Sequence, residues 1–234
     1  MVTLTYDDQH LPVGGSLCYP DFQRFMRRVR KSFRERVRFY MAGEYGERTF
    51  RPHFHALLFG VDFPDREFLF FSGSGAKIFK SSRLSGLWPF GFSSVGDVTF
   101  ESAAYVARYV MKKITGDAAA EHYRRVDLGT GEVFQLVPEF NRMSLKPGIG
   151  GLWLDRFQAD VFPHDRVVVR GREGKPPKYY FRRLEKMAPE VHARLLRKRR
   201  RDMARGAKDR TPERLAAREV VAAAQVKMLR RSVE

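Results

Sequence analysis

The chain has 234 residues, 43% of them hydrophobic, with 44 Lys+Arg against 27 Asp+Glu and a formal net charge of +17. That allows one domain plus an extension, or two small domains. So positive a balance points to a phosphate-rich partner, nucleic acid before a membrane surface, because no amphipathic Lys/Leu anchor stands out. The single cysteine, Cys18, excludes an internal disulfide framework and a CxxC ligand set. No apolar run approaches the ~18 residues of a membrane span and no signal peptide opens the chain, so a soluble protein of a reducing, intracellular compartment is expected.

Residues 2–6, VTLTY, alternate and are rich in β-branched side chains, which predicts a strand. Asp7, Asp8 and the following LPVGG make a loop. Residues 19–36 read as a helix: Pro20 suits its first turn, and Phe22, Phe25, Met26, Val29 and Phe33 form one apolar stripe with Arg and Lys on the other face. Residues 37–46 and 52–60 read as two strands of a hairpin that turns near YGERTFRP. The second carries apolar residues on both faces, which predicts a central place in a sheet. Residues 61–92 read as aromatic-rich and irregular, and 92–98 as a further short strand. A second helix is predicted over 99–116, capped by Thr99 and ended by Gly116. GEVFQLV and RVVVRG are later strand candidates. From residue 182 the chain is helical, basic and poor in apolar residues, an extension outside the main core that is expected to add non-specific phosphate affinity. No internal repeat is visible.

Two patterns inside these elements carry chemistry. In PHFHALLFG, His53 and His55 lie two apart in a strand, so they share a face. Glu44, nine residues before His53, can meet them across the hairpin; Glu47 is nearer the turn and a weaker candidate. Two imidazoles and a carboxylate suit a divalent ion with open coordination positions. The plain alternative is two histidines satisfied by hydrogen bonds within a sheet. In the helix, Tyr105 and Tyr109 are four apart and share a face, with Arg108 and Lys112 beside it and Ala103, Val106, Ala107, Val110 and Ile114 opposite. That reading leaves the tyrosines free of core duty. A phenol near cations and a metal can attack a phosphodiester, while the metal polarises the phosphate. Tyrosine pairs at this spacing are also common in ordinary helices.

Taken together and in order, TLTYDD, GEYGERTFRPHFHALLFG and YVARYVMKK resemble the three motifs of the HUH endonucleases, the rolling-circle replication initiators. The similarity is closest to the VP4-type initiators of gokushovirus-like microviruses, small single-stranded-DNA bacteriophages. RMSLKPGIG (142–150) and PPKYYFRRLEK (176–186) resemble downstream segments of that family. The resemblance implies an α+β fold, a central antiparallel β-sheet (HUH/ferredoxin-like) flanked by helices, with an endonuclease domain over residues 1–181 and a basic helical C-terminal extension over 182–234. It implies His53 and His55 as metal ligands with Glu44 as the third, Tyr105 and Tyr109 as paired nucleophiles, and Lys112 as the lysine of the YxxK pattern. Arg108 stands where many relatives have Lys. Relatives carry a segment ahead of the first motif, often with a CxxC-like pair, whereas this sequence opens on that motif; the sheet edge and any upstream origin contacts are expected to differ accordingly.

The implied activity is nicking and rejoining of single-stranded origin DNA through a 5′-phosphotyrosine intermediate, with Mg²⁺ or Mn²⁺ as cofactor, in the host bacterial cytoplasm. The released 3′-OH primes a host polymerase. No GxxxxGK[ST] phosphate loop is present, GSGAKIFKSS included, so strand separation is expected from a host helicase. The oligomeric state stays open. Two rivals make other demands. A non-catalytic nucleic-acid-binding protein has no need of Glu44, His53 or either tyrosine. An amidohydrolase-like metal enzyme wants a larger barrel and further ligands, and His10, His122, His164 and His192 show no ligand spacing.

Overall fold

A computed structural model describes residues 1–109, 113–127 and 129–228. The chain divides into two compact units, one over Met1–Ser144 and one from Leu145 onward. The 181/182 border read from the sequence falls inside a helix of the second unit.

The first unit begins with β1 (Val2–Tyr6), α1 (Tyr19–Ser32), β2 (Arg38–Tyr45), β3 (Pro52–Phe59), β4 (Glu67–Phe71) and β5 (Lys77–Lys80). It continues with α2 (Ser82–Leu87), β6 (Gly91–Gly96), α3 (Phe100–Arg108), α4 (Ala118–His122), β7 (Arg124–Val126), β8 (Val133–Gln135) and β9 (Phe140–Met143). Seven strands form one sheet in the order β4-β5-β6-β1-β3-β2-β9, and every neighbouring pair is antiparallel. β7 and β8 pair as a separate hairpin. This is the α+β class with an antiparallel central sheet that the resemblance implied, and β3 is an inner strand. Residues 61–92 are more regular than expected: they hold β4, β5 and α2. Their aromatic run hides the alternation because β4 is exposed along its whole length and carries a register shift between Phe68 and Phe70.

Alternation decides what each face of the sheet buries. From β1, Val2, Leu4 and Tyr6, and from β3, Phe54, Ala56 and Leu58, turn to one side. There they meet the α1 stripe of Phe22, Phe25, Met26 and Val29, and Trp88 beyond α2. Phe54 is fully buried among the rings of Phe22, Trp88 and Tyr6. Tyr6 donates its hydroxyl hydrogen to Asp21 Oδ2 at 2.9 Å, which ties β1 to the first turn of α1. On the opposite side Ala42 and Leu57 meet Tyr105, Val106 and Tyr109 of the α3 segment. Strands β2 and β3 are thus covered on both faces, which is why β3 reads as a nearly continuous apolar run.

α3 starts with a reciprocal cap: Thr99 Oγ1 accepts from Ser102 N at 3.2 Å, and Ser102 Oγ accepts from Thr99 N at 2.8 Å. The expected Thr99 cap is present. The regular helix ends at Arg108, and Lys113–Thr115 are not helical, so the predicted end at Gly116 is too late. Tyr123 explains the early stop. Its hydroxyl accepts from Ile114 N at 3.0 Å and donates to Glu139. Ile114 packs on the main core beside Tyr123, and a continuing helix would not deliver that amide there. Burial, then the Glu139 hydrogen bond, push the Tyr123 phenol up to about 12.

The second unit holds α5 (Gly151–Val161), a hairpin of β10 (Val167–Val169) and β11 (Arg172–Gly174), α6 (Lys178–Met187), α7 (Pro189–Arg205) and α8 (Pro212–Met228). Leu154, Val161 and Phe162 from the α5 region form a small core with Leu184 of α6 and Leu195 of α7. The basic tail is therefore outside the main core, as expected, yet its first two helices complete a core of their own. The leucines were hard to see because each is surrounded by arginines and lysines. α8 buries no residue.

Leu184→Ala or Leu195→Ala is expected to destabilise this unit by about 2–5 kcal/mol, the usual cost of emptying a buried leucine site. Amide hydrogen exchange should show the loss in α5–α7, while removal of residues after Gly206 leaves protection there unchanged. Arg197, Lys198 and Arg201 are exposed on α7. Changing all three to Gln should lower the salt slope of single-strand binding by up to about 2, since each phosphate contact contributes roughly 0.7, with α7 helicity retained by circular dichroism.

Candidate active site

The register of the β2–β3 hairpin sets Glu44 directly opposite His53 and Ala42 opposite His55. On the other flank of β3, Thr3 of β1 stands opposite His55 and Thr5 opposite His53. Glu44, His53 and His55 are all buried, at 2%, 6% and 1% exposure. Carboxylates and imidazoles are rarely so buried unless they answer one another. Here Glu44 Oε1 lies 2.8 Å from His53 Nε2 and 3.1 Å from His55 Nε2. Burial alone would raise the Glu44 carboxyl, but hydrogen bonds from His53 and His55, with their charges, outweigh it and hold the group well below the usual carboxylate range.

The outer nitrogens of the two rings are also engaged. His53 Nδ1 lies 3.1 Å from the carbonyl of Arg51, and a carbonyl only accepts, so Nδ1 carries the proton. His55 Nδ1 lies 3.0 Å from Thr3 Oγ1. Both rings are therefore anchored through Nδ1 and turn Nε2 toward Glu44. A neutral imidazole with Nδ1–H presents a bare lone pair at Nε2, and two acceptors face one another at this distance only across a proton or a cation. The separations near 3 Å are also those of two ligands at ~2.1 Å from one ion at right angles. Among the described residues, Glu44, His53 and His55 are the one group of three or more His, Cys, Asp or Glu side chains whose ligand atoms cluster, all within 4.8 Å of one another. The donor set fits a divalent ion with N and O ligands and open positions. Glu47, the weaker alternative, is exposed in the turn.

α3 lies on β2 and β3 and brings both tyrosines to this cluster. The Tyr109 ring stacks on His55 at 5.0 Å with an 8° interplanar angle, and its hydroxyl lies 3.3 Å from His55 Nε2. Tyr105 meets the same imidazole edge-on at 5.8 Å. The Tyr109 hydroxyl donates to that of Tyr105. Burial first, and then the Glu44 charge, raise the Tyr109 phenol far above its ordinary value.

One feature of the helix differs from the sequence reading. The tyrosines lie on the buried face, with Tyr105 and Tyr109 at 6% and 4% exposure beside fully buried Val106, whereas Ala107 is exposed. The apolar stripe that was to be the packing face is split, because the wide aromatic rings reach the sheet and the small alanines do not. Arg108 is half-buried. Lys112 lies outside the described residues. Two participants were missed by sequence reasoning, Thr3 and the Arg51 carbonyl. Alternation in VTLTY puts Thr3 and Thr5 on one face of their strand, but only the β1–β3 pairing aims that face at the histidines.

Comparison with known proteins agrees with this geometry. Residues 1–114 match the model of the replication-associated protein ORF2 family. The chain is 33% identical over 197 residues to Replication-associated protein ORF2 of Spiroplasma virus 4, an alignment covering 79% of this chain and 57% of that protein. It is 31% identical over 199 residues to Replication-associated protein VP4 of Bdellovibrio phage phiMH2K, covering 81% and 58%. With Replication-associated protein ORF4 of Chlamydia phage 1 the identity is 28% over 202 residues, covering 81% and 47%. The chain thus spans about half the length of these relatives. No solved structure matches it. The family segment of residues 1–114 contains all three sequence motifs and the whole Glu44, His53, His55, Tyr105 and Tyr109 cluster, and by that segment the chain belongs with the replication-associated proteins of small phages.

Proposed function

We propose that the chain nicks and rejoins single-stranded DNA at a phage replication origin, as the initiator of rolling-circle replication. The observation that carries this reading is the Tyr109 hydroxyl 3.3 Å from Nε2 of His55, a nucleophile beside a ligand set. Glu44, His53 and His55 would hold Mg²⁺ or Mn²⁺, whose chemistry is to polarise the scissile phosphate. The residues themselves do the rest. The Tyr109 oxygen bonds to phosphorus, the bond from phosphorus to the 3′-oxygen breaks, and the phenolic proton ends on that oxygen as a 3′-OH. Tyr109 is a phenol rather than a phenolate in the resting site, because its buried oxygen faces the Glu44 charge. Its loss of the proton therefore accompanies bond formation. Lys112 is assigned to neutralising the same phosphate.

The resulting 5′-phosphotyrosine keeps the ester, so rejoining needs no ATP. Tyr105, hydrogen-bonded to Tyr109, takes its turn on the regenerated origin, and the free 3′-OH resolves the first link into a circle. A host helicase and polymerase would supply unwinding and synthesis, and the protein would act in the host bacterial cytoplasm. No described helix is long and apolar enough to cross a membrane.

Incubation with single-stranded origin DNA and Mn²⁺ should give a covalent protein–DNA band on a denaturing gel. Tyr105→Phe and Tyr109→Phe singly should keep some nicking and lose circle closure; the double variant should form no adduct, and an adduct there would move the nucleophile elsewhere. His53→Ala or His55→Ala should abolish cleavage while DNA binding persists, and cleavage that survives EDTA would remove the metal from the reaction. Thr3→Val is expected to weaken Mn²⁺ binding by about 10–100-fold, the usual cost of losing a group that orients a ligand, as read by titration calorimetry.

A further inference from the structure

α3 covers only β2 and β3 of its side of the sheet. Next to it, the same face continues over β1 and β6 with no helix on top among the described residues. The register defines what stands there. One row runs Glu44, His53, Thr5, Phe92 across β2, β3, β1 and β6. The next row runs Ala42, His55, Thr3, Ser94. Phe92 therefore lies on the face of the histidines, two strands from His53, or ~10 Å at the usual strand spacing. It is 72% exposed. Gly91, just before it, has φ +142, and a Cβ there would sit 2.3 Å from Asp7 N and 2.6 Å from Thr5 O. The close approach of β6 to β1 that this glycine permits holds Phe92 in the row.

A cavity of about 240 Å³ opens beside that row, lined by Thr3, His55, Phe70, Ile78, Ser94 and Tyr105. It joins the tyrosine and histidine cluster directly. Its size falls below the ~300 Å³ at which pockets for drug-sized ligands begin. Phe70, on the wall, is 46% exposed on the edge strand β4. Exposed aromatic rings cost solvation and need a reason. Short hydroxyl side chains between two aromatics, on a strongly cationic protein, are the composition of a surface that takes unpaired bases by stacking and by hydrogen bonds.

We infer that this bare strip of the sheet is a nucleobase subsite, in which Phe92 stacks a base of the single strand next to the cut and the Phe70 cavity takes its neighbour. The inference rests on the proposed nicking reaction for its occupant, single-stranded DNA. It adds positioning: a base held on Phe92 fixes which phosphodiester reaches Tyr109. Thr3 and Thr5 then serve both sides, as neighbours of the histidines and as floor of the subsite.

The test uses the full chain in EDTA, so that no cleavage intervenes, and reads binding of fluorescein-labelled dT15 by anisotropy. Phe92→Ala should weaken binding about 5- to 100-fold, the range for loss of one stacked base, with the salt slope unchanged because no phosphate contact is lost. Phe92→Trp should restore it. A 15-mer of abasic deoxyribose phosphates should bind wild type and Phe92→Ala alike. Equal binding of dT15 by wild type and Phe92→Ala, or equal losses in Phe92→Ala and Phe92→Trp, overturns the subsite. Failure of the chain to form a covalent adduct in Mn²⁺ would instead overturn the nicking reaction and leave these binding results standing.

Discussion

The pairing of Glu44 with His53 across the β2–β3 hairpin is the contact on which the site depends. Both groups are buried in the middle of a sheet packed on two sides. A lone carboxylate there would be severely desolvated. Two imidazoles aimed at it offset that cost, and Thr3 and the Arg51 carbonyl keep them aimed. A slip of one residue in the hairpin would send Glu44 and both histidines into the Phe22, Phe54 and Trp88 core and bring Gly43, Phe54 and Ala56 to the site. Apolar packing on the α1 side therefore protects the polar constellation on the other. The more firmly Phe54 is held among its ring neighbours, the less freedom His53 and His55 have.

Helix α3 adds reactivity to this arrangement through burial. Val106 and the two tyrosines are its contact with the sheet, so the candidate nucleophiles are also its anchors. This dual use explains the ring stack of Tyr109 on His55. It also implies that Tyr→Phe substitutions, which keep the ring, separate chemistry from packing, whereas Tyr→Ala would not. The Thr99–Ser102 cap at one end and the Tyr123–Ile114 hydrogen bond beyond the other limit how far the helix can slide.

Charge and base recognition occupy different places in the chain. The sheet face beside the site is lined by small hydroxyls and aromatic rings, while α7 of the second unit carries a dense row of cations. The first suits discrimination among positions on a strand; the second suits affinity without sequence preference. α7 combines its cations with Leu195, which is buried in the small core of its own unit, so its cationic face is held by packing rather than by ion pairs alone.

By itself the sequence determined what is local. Alternation in VTLTY and PHFHALLFG, and the 3–4 spacing in the α1 stripe, follow from backbone geometry and survive in the fold almost unchanged. The HxH spacing and the hairpin between Glu44 and His53 are of the same kind, because nine residues leave few ways to turn back. What tertiary structure decided is whatever depends on partners far along the chain. Thr3 joins the site only because β1 pairs with β3 some fifty residues away. The tyrosines face inward because ring size, and not helical periodicity, sets which side of α3 reaches the sheet. Leu184 and Leu195 become core only when α5 is brought to them, and Phe92 enters the row of Glu44 and His53 only through β1, which pairs with both β3 and β6. Spacing along a chain sets which side chains share a face; which faces meet is set by the burial that the whole assembly of strands and helices makes possible.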